Sequence, residues 1–505
     1  MSNSPEISAQ DLKSSQAAYN FMIIAMFMAI LDIQIVSSSI MHIQASFSAS
    51  IDEVAWVQTA YLMAEVIMIP MCSWFVSTFS TRYFFTICTL IFTVASILCA
   101  MSSSLNQLIL FRILQGFAGG ALIPTVFSSI FTLFEKDQIT KQTIKAGLMA
   151  TIAPTIGPTL GGWITESFSW QWLFLLNIPF GLFIAFHVYK KFKADRPQLQ
   201  RLKQFDYTGF ILLAFSLATL EYILKEGNKV QWFDSNKITF LTIFCLTCFI
   251  MLIFYEIRRK NPLIKISAFT NRNFTISCFT SFAIGVALYG ITYIYPIILS
   301  TIRQMSSIEI GIVMFVTGAS QLFSGPIAGM LEKRMDPRLM LGVGFLVFGG
   351  GLIINSFMTR DVSFNELLIP QIIRGSVVMF CFLPTTKIAF STLNKSEIPD
   401  ASGLYNLMRN LGGAIGIAFI NYFLTIRAKY HKVLTLSNLD EIKSQQMMSM
   451  PEIYYNDLGE GNPSAIFDTI QKEIMIRSYN DLLFFLGCYL IFCCVLILAL
   501  KKVKE

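Results

Sequence analysis

Residues 153–162 read A-P-T-I-G-P-T-L-G-G, and this stretch lies inside a long apolar block. Each proline removes a backbone hydrogen bond and bends a helix, while the glycines let a second helix approach closely. A bare G-x-x-x-G most often serves only helix packing, but two prolines at fixed offsets make this pattern much more specific. We therefore expect a bent, closely packed membrane helix, whose defining residues are Pro154, Gly157, Pro158, Gly161 and Gly162.

Apolar blocks of about twenty residues recur along the whole chain on both sides of this stretch. Of the 505 residues, 54% are hydrophobic and only 14% are charged, against roughly a quarter charged in an average soluble domain. About twenty helical residues cross a hydrocarbon core, whereas barrel strands would need shorter stretches of alternating polarity. The composition predicts an all-α polytopic membrane protein with fourteen transmembrane helices. The blocks lie near residues 19–40, 54–75, 83–101, 105–134, 143–165, 171–190, 205–224, 237–256, 273–300, 308–330, 339–358, 364–391, 401–426 and 481–500.

Basic residues collect in the loops that follow the even-numbered blocks. The loops near residues 190–203 and 258–272 are the richest in Lys and Arg, and short loops of this kind stay in the cytoplasm. Because the number of spans is even, both termini are expected on the cytoplasmic side of the cell's inner membrane, and residues 1–18 lack the pattern of a cleaved signal peptide. The net charge of +7 then anchors the protein to the cytoplasmic face. It is no argument for nucleic-acid binding.

Residues 427–480 form the long polar segment of the chain, and we expect an external loop there. An amphipathic helix fits the spacing of Ile466, Phe467, Ile470 and Ile474. The ten cysteines lie within or at the ends of apolar blocks, so they are interpreted as buried small hydrophobic residues. Cys245 and Cys248 form a C-x-x-C without a second pair, and neither a metal nor a cofactor is predicted.

Ionisable side chains inside the apolar blocks are the candidates for handling protons or substrate. Such a group at mid-membrane costs about 2.5–3.5 kcal/mol even on the lenient insertion scale. Desolvation disfavours a charged carboxylate, which suits Asp32 in the first block and Glu65 in the second to take up and release a proton. The structural alternative is a pair with a neighbouring base such as Arg112 in the fourth block. Glu221, near the outer end of the seventh block, is expected to reach the membrane interface.

The fourth and twelfth blocks share a pattern that indicates an internal repeat. F-R-I-L-Q-G-F-A-G-G-A-L-I-P at 111–124 is echoed by I-R-G-S-V-V-M-F-C-F-L-P at 373–384, so Arg112 corresponds to Arg374. The thirteenth block holds Arg409, followed by glycines that loosely match those of the fifth. Repeats of this kind are typical of secondary transporters, whose sites lie between the two halves.

Further motifs lie in three of the blocks and in two connecting segments. They are L-D-I-Q-I-V at 31–36, W-V-Q-T-A-Y-L at 56–62, W-F-D-S at 232–235, R-K-N-P-L-I-K-I at 259–266 and N-L-M-R-N-L-G-G-A-I-G at 406–416. With these motifs the chain resembles the fourteen-helix drug:proton antiporter branch of the major facilitator superfamily, of the EmrB/QacA type. The resemblance implies two six-helix bundles, at 19–190 and 273–500, with two inserted helices at 205–256. It also implies proton influx that drives export.

The partners that the resemblance implies are a small-molecule substrate, protons and the lipid bilayer. Similar permeases of double-membrane bacteria often work with a periplasmic adaptor protein and an outer-membrane channel, so such partners are a further expectation. The chain departs from the family in its gating loop, where Ser77 occupies the acid position and Arg82 is the one base that remains. After the tenth block, Lys333 stands where an acid is expected. The usual inward-closing charge lock therefore lacks its acids.

Efflux of small amphipathic or cationic compounds is the function that this sequence predicts. Export of a specific metabolite or siderophore is the alternative. A membrane-embedded enzyme is less favoured, because the three histidines are far apart and no Ser/His/Asp spacing occurs. The lack of a G-x-x-x-x-G-K-[ST] motif argues against ATP as the energy source within this chain, and the repeat disfavours a channel or receptor.

Overall fold

The computed structural model describes residues 9–259, 262–359, 364–394, 397–446 and 463–502. These residues form α-helices joined by loops and 3-10 turns, and no strand occurs among them. Lys260 and Asn261 of the 259–266 motif lie outside the described residues. The 3-10 segments are Ile69–Met71, Leu199–Gln204, Trp232–Asp234 and Ile266–Thr270. The α-helices are α1 Ala9–Ser38, α2 Ile40–Phe47, α3 Ile51–Val54, α4 Trp56–Met68, α5 Cys72–Ala100, α6 Leu105–Leu133, α7 Lys136–Ser167, α8 Trp172–Leu175, α9 Asn177–Lys191, α10 Tyr207–Glu226, α11 Asn236–Arg258, α12 Arg272–Ile302, α13 Ser307–Glu332, α14 Pro337–Asn355, α15 Phe364–Ser391, α16 Ile398–Gln446 and α17 Pro463–Leu498.

Twelve stretches of the described residues are long and apolar enough to cross a membrane. One of them, Asp52–Ala100, has 49 residues, or about 74 Å of helix, which is more than twice a hydrocarbon core of about 30 Å. Its helix is broken at Ser80, where φ is 68° and ψ is 154°, so it supplies two spans. The more polar α7 is not among the twelve, yet it packs along α1 and α13. Counting Asp52–Ala100 as two spans and adding α7 gives fourteen, the number of spans that the sequence predicts.

Several helices begin at side chains that satisfy the free backbone N–H groups of the first turn. Ser104 accepts a hydrogen bond from the backbone N–H of Gln107 at the start of α6, and Asp206 does the same for Gly209 at the start of α10. Ser306 and Glu309 form a reciprocal capping box at the start of α13. These caps stabilise helix ends next to the loops where the chain reverses direction.

Glycines bring helices into close contact in both halves of the chain. A Cβ atom added at Gly116 of α6 would lie 2.2 Å from the carbonyl oxygen of Tyr61 in α4. In the second half, a Cβ atom at Gly412 of α16 would lie 2.2 Å from the carbonyl oxygen of Phe282 in α12. Real Cβ atoms do not approach so closely, so these helix pairs depend on the absence of a side chain.

The polar segment at 427–480, for which a loop was predicted, is helical where the structure describes it. Helix α16 continues to Gln446 and α17 begins at Pro463, so both helices extend past their apolar blocks. The predicted amphipathic segment lies within α17, where Ile474 is buried, whereas residues 447–462 and the side chains of Ile466 and Phe467 lie outside the described part. Asp481 of α17 accepts hydrogen bonds from Arg427 Nε at 2.7 Å and His431 Nε2 at 2.6 Å, which ties the two helices together.

The interpretation of all ten cysteines as buried residues is wrong for Cys488. Cys488 of α17 is exposed, and Cys494 is half-buried. The other eight are buried, and all ten are free thiols. Hydropathy cannot tell these cases apart, because a side chain that faces lipid is as apolar as one in the protein interior.

Candidate functional site

Asp32 of α1 and Arg112 of α6 form an ion pair that is sealed from solvent. Arg112 Nη1 lies 2.5 Å from Asp32 Oδ2, and neither side chain has any exposed surface. Arg112 also donates to the carbonyl oxygen of Val57 at 3.2 Å and covers the Tyr61 ring at 4.2 Å. The predicted neighbours are therefore in direct contact. Removing one partner of a buried pair costs about 3–5 kcal/mol, because the other charge is left uncompensated.

Two amides complete the hydrogen bonds of the Asp32 carboxylate. Gln115 Nε2 donates to Asp32 Oδ1 at 3.0 Å, and Asn177 Nδ2 donates to the same oxygen at 2.7 Å. Gln115 lies one turn after Arg112, on the same face of α6, and its Oε1 accepts from Arg112 Nη1 at 2.7 Å. Asn177 starts α9 and was not among the predicted site residues. The one signal in the sequence is an amide within an otherwise apolar block.

Glu65 of α4 is buried at 3% exposure without joining this network. No described residue makes a hydrogen bond or ion pair with its carboxylate, so the alternative of a pair between Glu65 and Arg112 is not what the structure shows. Its backbone is close to α6, since a Cβ atom at Gly120 would lie 2.5 Å from the Glu65 carbonyl oxygen. The carboxylate thus lies inside the protein without a polar partner among the described residues.

Glu221, which was expected to reach the membrane interface, is buried in the protein, because α10 packs against α4. The side chain is 9% exposed and lies within electrostatic range of Glu65. Tyr222 beside it contacts the Trp56 ring at 5.7 Å between centroids, and Lys225 donates to the carbonyl oxygen of Ala55 at 3.4 Å. Helix α10 therefore places a second buried acid near Glu65.

The 153–162 stretch is the contact surface of α7 with two other helices. A Cβ atom at Gly157 would lie 2.3 Å from the Cβ atom of Gln34, and one at Gly161 would lie 2.6 Å from the carbonyl oxygen of Ile35. On another face of α7, Thr155 and Thr159 pack against Gly318 and Gly311 of α13. Both prolines and Gly162 lie within the continuous helix, so α7 joins α1 to α13 along its length.

The two arginines predicted in the second half have no carboxylate partner among the described residues. Arg374 of α15 donates from Nη2 to Thr317 Oγ1 at 2.9 Å and lies 5.1 Å from the centre of the Tyr295 ring. Arg409 of α16 donates to Asn406 Oδ1 and lies 4.7 Å from the centre of the Phe382 ring. Both are buried. The repeat in sequence therefore does not extend to the counter-ion of Arg112.

Two acids join the halves at the end of the molecule where α13 ends and α16 begins. Glu332 of α13 pairs with Lys387 of α15 and accepts a hydrogen bond from Thr140 of α7 at 2.9 Å. Asp400 of α16 pairs with Lys265 at 2.5 Å and accepts a hydrogen bond from Ser73 of α5. The sequence motifs did not identify these acids, because neither acid occupies the position where the family places one.

Ser77 and Arg82 of the predicted gating loop do not bond to either of these two acids but to groups within the first half of the chain. The Ser77 hydroxyl donates to the carbonyl oxygen of Trp74 in its own helix at 2.9 Å. Arg82 Nε donates to the carbonyl oxygen of Tyr189 at 2.6 Å. Asp195, in the loop after α9, accepts hydrogen bonds from the Thr81 backbone N–H and hydroxyl, both at 2.6 Å. Burial raises the pKa of the Asp195 carboxyl, and the two bonds from Thr81 oppose that effect.

Comparison with known proteins assigns the family. The sequence profile of the Major Facilitator Superfamily matches residues 22–417. The chain is 37% identical over 486 residues to the colistin resistance protein EmrB of Acinetobacter baumannii, with 93% of each chain covered. It is 28% identical over 465 residues to the multidrug export protein EmrB of Escherichia coli K12, which covers 91% of this chain and 90% of that protein.

A solved structure agrees on the fold. The proton:xylose symporter XylE, bound to 6-bromo-6-deoxy-D-glucose, superposes with a TM-score of 0.59 at 11% identity, covering 97% of both chains. At this identity the likeness concerns the fold alone, and it matches the helical architecture described above. The protein is thus a multi-pass membrane protein that belongs to the major facilitator superfamily, among its EmrB-type members.

Proposed function

We propose that this protein exports small amphipathic or cationic compounds in exchange for protons, by alternating access between its two halves. The observation that carries the proposal is the sealed Asp32–Arg112 pair with its two amide donors. A proton on Asp32 removes the negative charge that holds Arg112 and the two amide donors, Gln115 and Asn177, together. Protonation therefore changes how α1 packs against α6 and α9. The relatives named for multidrug export and colistin resistance support export as the direction of transport.

The proposed division into two bundles has partial support from the packing. Residues 19–190 and 273–500 are the two proposed bundles, with 205–256 as the inserted pair. In support, one apolar cluster of buried residues lies wholly in the second half, running in the chain from Ala283 to Leu500. The inserted helices α10 and α11 have many exposed large apolar side chains, such as Phe240 and Phe254. That is expected of helices placed at the lipid-facing edge.

The proposed orientation puts both termini in the cytoplasm of the inner membrane. It rests on the basic loops near 190–203 and 258–272. The end of the molecule with Glu332 and Asp400 is then the cytoplasmic end, and the extended parts of α16 and α17 project on the opposite side. A periplasmic adaptor protein, which would lead to an outer-membrane channel, would meet the protein on that side.

Transport by the purified protein in vesicles tests this function. An imposed pH gradient should drive uptake of a quaternary ammonium compound into inside-out oriented vesicles, and the compound should in turn release protons at a fixed stoichiometry. A channel would move the compound only down its own gradient. An enzyme would alter it chemically, which mass spectrometry of the recovered compound would detect.

The hydrogen bonds across the cytoplasmic end are predicted to favour closure on that side. The double variant Ser73→Ala and Thr140→Val removes the links to Asp400 and Glu332, while it leaves both acid–base pairs in place. Hydrogen bonds to charged groups contribute about 1.5–3 kcal/mol each. We expect the cytoplasm-closed population to fall by about tenfold or more, measured as spin-label distances between α5 and α16.

Ser77→Ala is the matched control for the cytoplasmic links. Its hydroxyl bonds only to a carbonyl of its own helix, so the distance distribution should be that of the wild type. If the double variant and the control have the same distribution, then the two hydrogen bonds do not hold this end closed.

Glu65→Gln is predicted to narrow the range of exported compounds. Because Glu65 makes no hydrogen bond with a described residue, glutamine should preserve the packing and remove only the ability to carry charge. A bound cation and a proton would compete for this carboxylate in the wild type. Resistance of cells to monovalent organic cations should therefore fall about tenfold, because leaving the buried cation without a counter-charge costs more than about 1.4 kcal/mol. Resistance to neutral compounds should fall less than twofold.

The control for this prediction is Glu166→Gln, which changes an exposed acid of α7. Membrane abundance is matched by immunoblot in all strains. An equal fall in resistance to both classes of compound, together with less protein in the membrane, would assign Glu65 a purely structural role.

A further inference from the structure

Arg374 is a buried cation that has no carboxylate partner in the part of the chain that the structure describes. Its guanidinium is 7% exposed and bonds only to neutral groups, namely the Thr317 hydroxyl and, at 3.8 Å, the Met314 sulfur. No carboxylate of a described residue lies within ion-pair distance. Arg112, at the corresponding place in the other half, has Asp32 at 2.5 Å. A buried charge is retained at such a place when something else compensates it.

A cavity in front of Arg374 lies between the two halves. Thr155 of α7, Tyr289 of α12, Gln321 of α13 and Phe348 of α14 line it together with Arg374. Pro154, from the 153–162 stretch, borders the same space. The cavity therefore combines polar and aromatic side chains with one positive charge, which is the usual composition of a small-molecule site.

Gln321 provides a second and independent indication that this cavity binds a ligand. Its side chain is 1% exposed, and its Oε1 has no hydrogen-bond partner. Buried amides are almost always paired, so this one is open to a group that enters the cavity. A half-turn of the amide presents its N–H groups instead of its oxygen, so that Gln321 can donate to an anion beside Arg374.

We propose that Arg374, with Gln321, binds the carboxylate of an amphipathic substrate in this cavity. The inference rests on the proposed export function and names the residues that determine recognition of an acidic substrate. A guanidinium matches the geometry of a carboxylate with two parallel hydrogen bonds. Tyr289 and Phe348 then lie beside the apolar body of the substrate. The cavity now encloses about 10 Å³, roughly the space of one water molecule, so entry requires the halves to separate as in alternating access.

Binding of three matched probes tests the site. They are 2-naphthoate, 2-naphthamide and (2-naphthylmethyl)trimethylammonium, which share one ring system and differ in charge. The full chain is purified into lipid nanodiscs and titrated near neutral pH. In Arg374→Gln the affinity for 2-naphthoate should fall about tenfold or more, as expected for loss of a charge-assisted pair, while the affinities for the other two probes should stay within twofold. Arg374→Lys should lose less than Arg374→Gln, because it keeps the charge but not the fork.

Arg338→Gln is the control, because it makes the same change in α14 at a guanidinium paired with Asp336. Binding of 2-naphthamide by each variant shows that it is folded; if Arg374→Gln does not fold, a loss of 2-naphthoate affinity alone in Arg374→Lys decides in favour of the site. Absence of 2-naphthoate binding by the wild type, an equal loss for all three probes, or an equal loss in Arg338→Gln would overturn the assignment. Gradient-driven transport of the ammonium probe in the same preparation tests the export function separately, since that probe does not need Arg374.

Discussion

Asp32→Asn is expected to abolish proton-driven export. The variant keeps the volume of the side chain but cannot titrate, so a proton no longer changes the charge opposite Arg112. Its amide group also has to point an N–H at Arg112, Gln115 or Asn177, each of which now donates to the carboxylate. The buried guanidinium loses its counter-ion, which costs about 3–5 kcal/mol of stability. Uptake into vesicles under an imposed pH gradient should equal that of empty vesicles.

Two further variants separate the proton role from a loss of structure. Asp32→Glu keeps a titratable carboxylate and should retain measurable transport, though at a lower rate because the longer side chain is misplaced in a sealed site. Arg112→Lys keeps the charge and loses the fork that bonds Asp32, Gln115 and the Val57 carbonyl, so coupling should weaken. If Asp32→Asn, at equal abundance in the membrane, still pumps against a gradient, then Asp32 is not the proton carrier.

The sequence indicated Asp32 and Arg112 as candidates, with their pairing as the structural alternative, because few charges occur inside its apolar blocks. Each charge that remains there needs a partner, and Arg112 was the nearest base that the pattern offered. Asn177 was not predicted, although its amide donates to Asp32 at 2.7 Å. It lies 145 residues away in the chain, and a neutral amide in an apolar block carries no sign of which helix it will face.

The ends of α16 and the contacts of Glu332 and Asp400 show a different limit of the sequence. Hydropathy marks where a helix leaves the membrane, not where its backbone hydrogen bonds end, so the block at 401–426 became Ile398–Gln446. The charge lock was expected to lack its acids because Ser77 and Lys333 occupy the family positions. The structure supplies Glu332 one residue earlier and Asp400 from the opposite half. Position within a motif could not reveal an acid that approaches from another helix.

The burial of Glu221 could not be predicted for the same reason, namely that the contact comes from a helix distant in the chain. Its place near the outer end of a block suggested contact with the membrane interface, because the sequence alone does not show that α10 packs on α4. The Trp56–Tyr222 ring contact fixes that packing. A neighbour distant in the chain therefore decides which face of α10 is covered. The periodicity of apolar residues does not reveal that face, because lipid and protein interior are equally apolar.

Gly157→Leu is expected to abolish transport by separating α7 from α1. The Cβ atom alone would lie 2.3 Å from the Cβ atom of Gln34, against about 3.5–4.0 Å for carbon atoms in contact. The Gln34 Cβ atom cannot rotate away, so the helices have to move apart by about 1 Å or more. Overpacking of this kind costs about 1–3 kcal/mol. The same movement shifts Asp32, half a turn before Gln34 on α1, relative to Arg112. We therefore expect uptake at the level of empty vesicles, with faster passive leak of the compound.

Gly350→Leu is the matched control, because a Cβ atom at Gly350 in α14 meets no atom within 4 Å. It should fold and transport as the wild type does. Gly157→Ala gives a graded test, since its single methyl group already clashes with Gln34 while it adds little volume elsewhere. Its transport rate should lie between those of wild type and Gly157→Leu. Normal transport by folded Gly157→Leu would mean that α1 and α7 can part without cost, and the close contact would then have no part in coupling the halves.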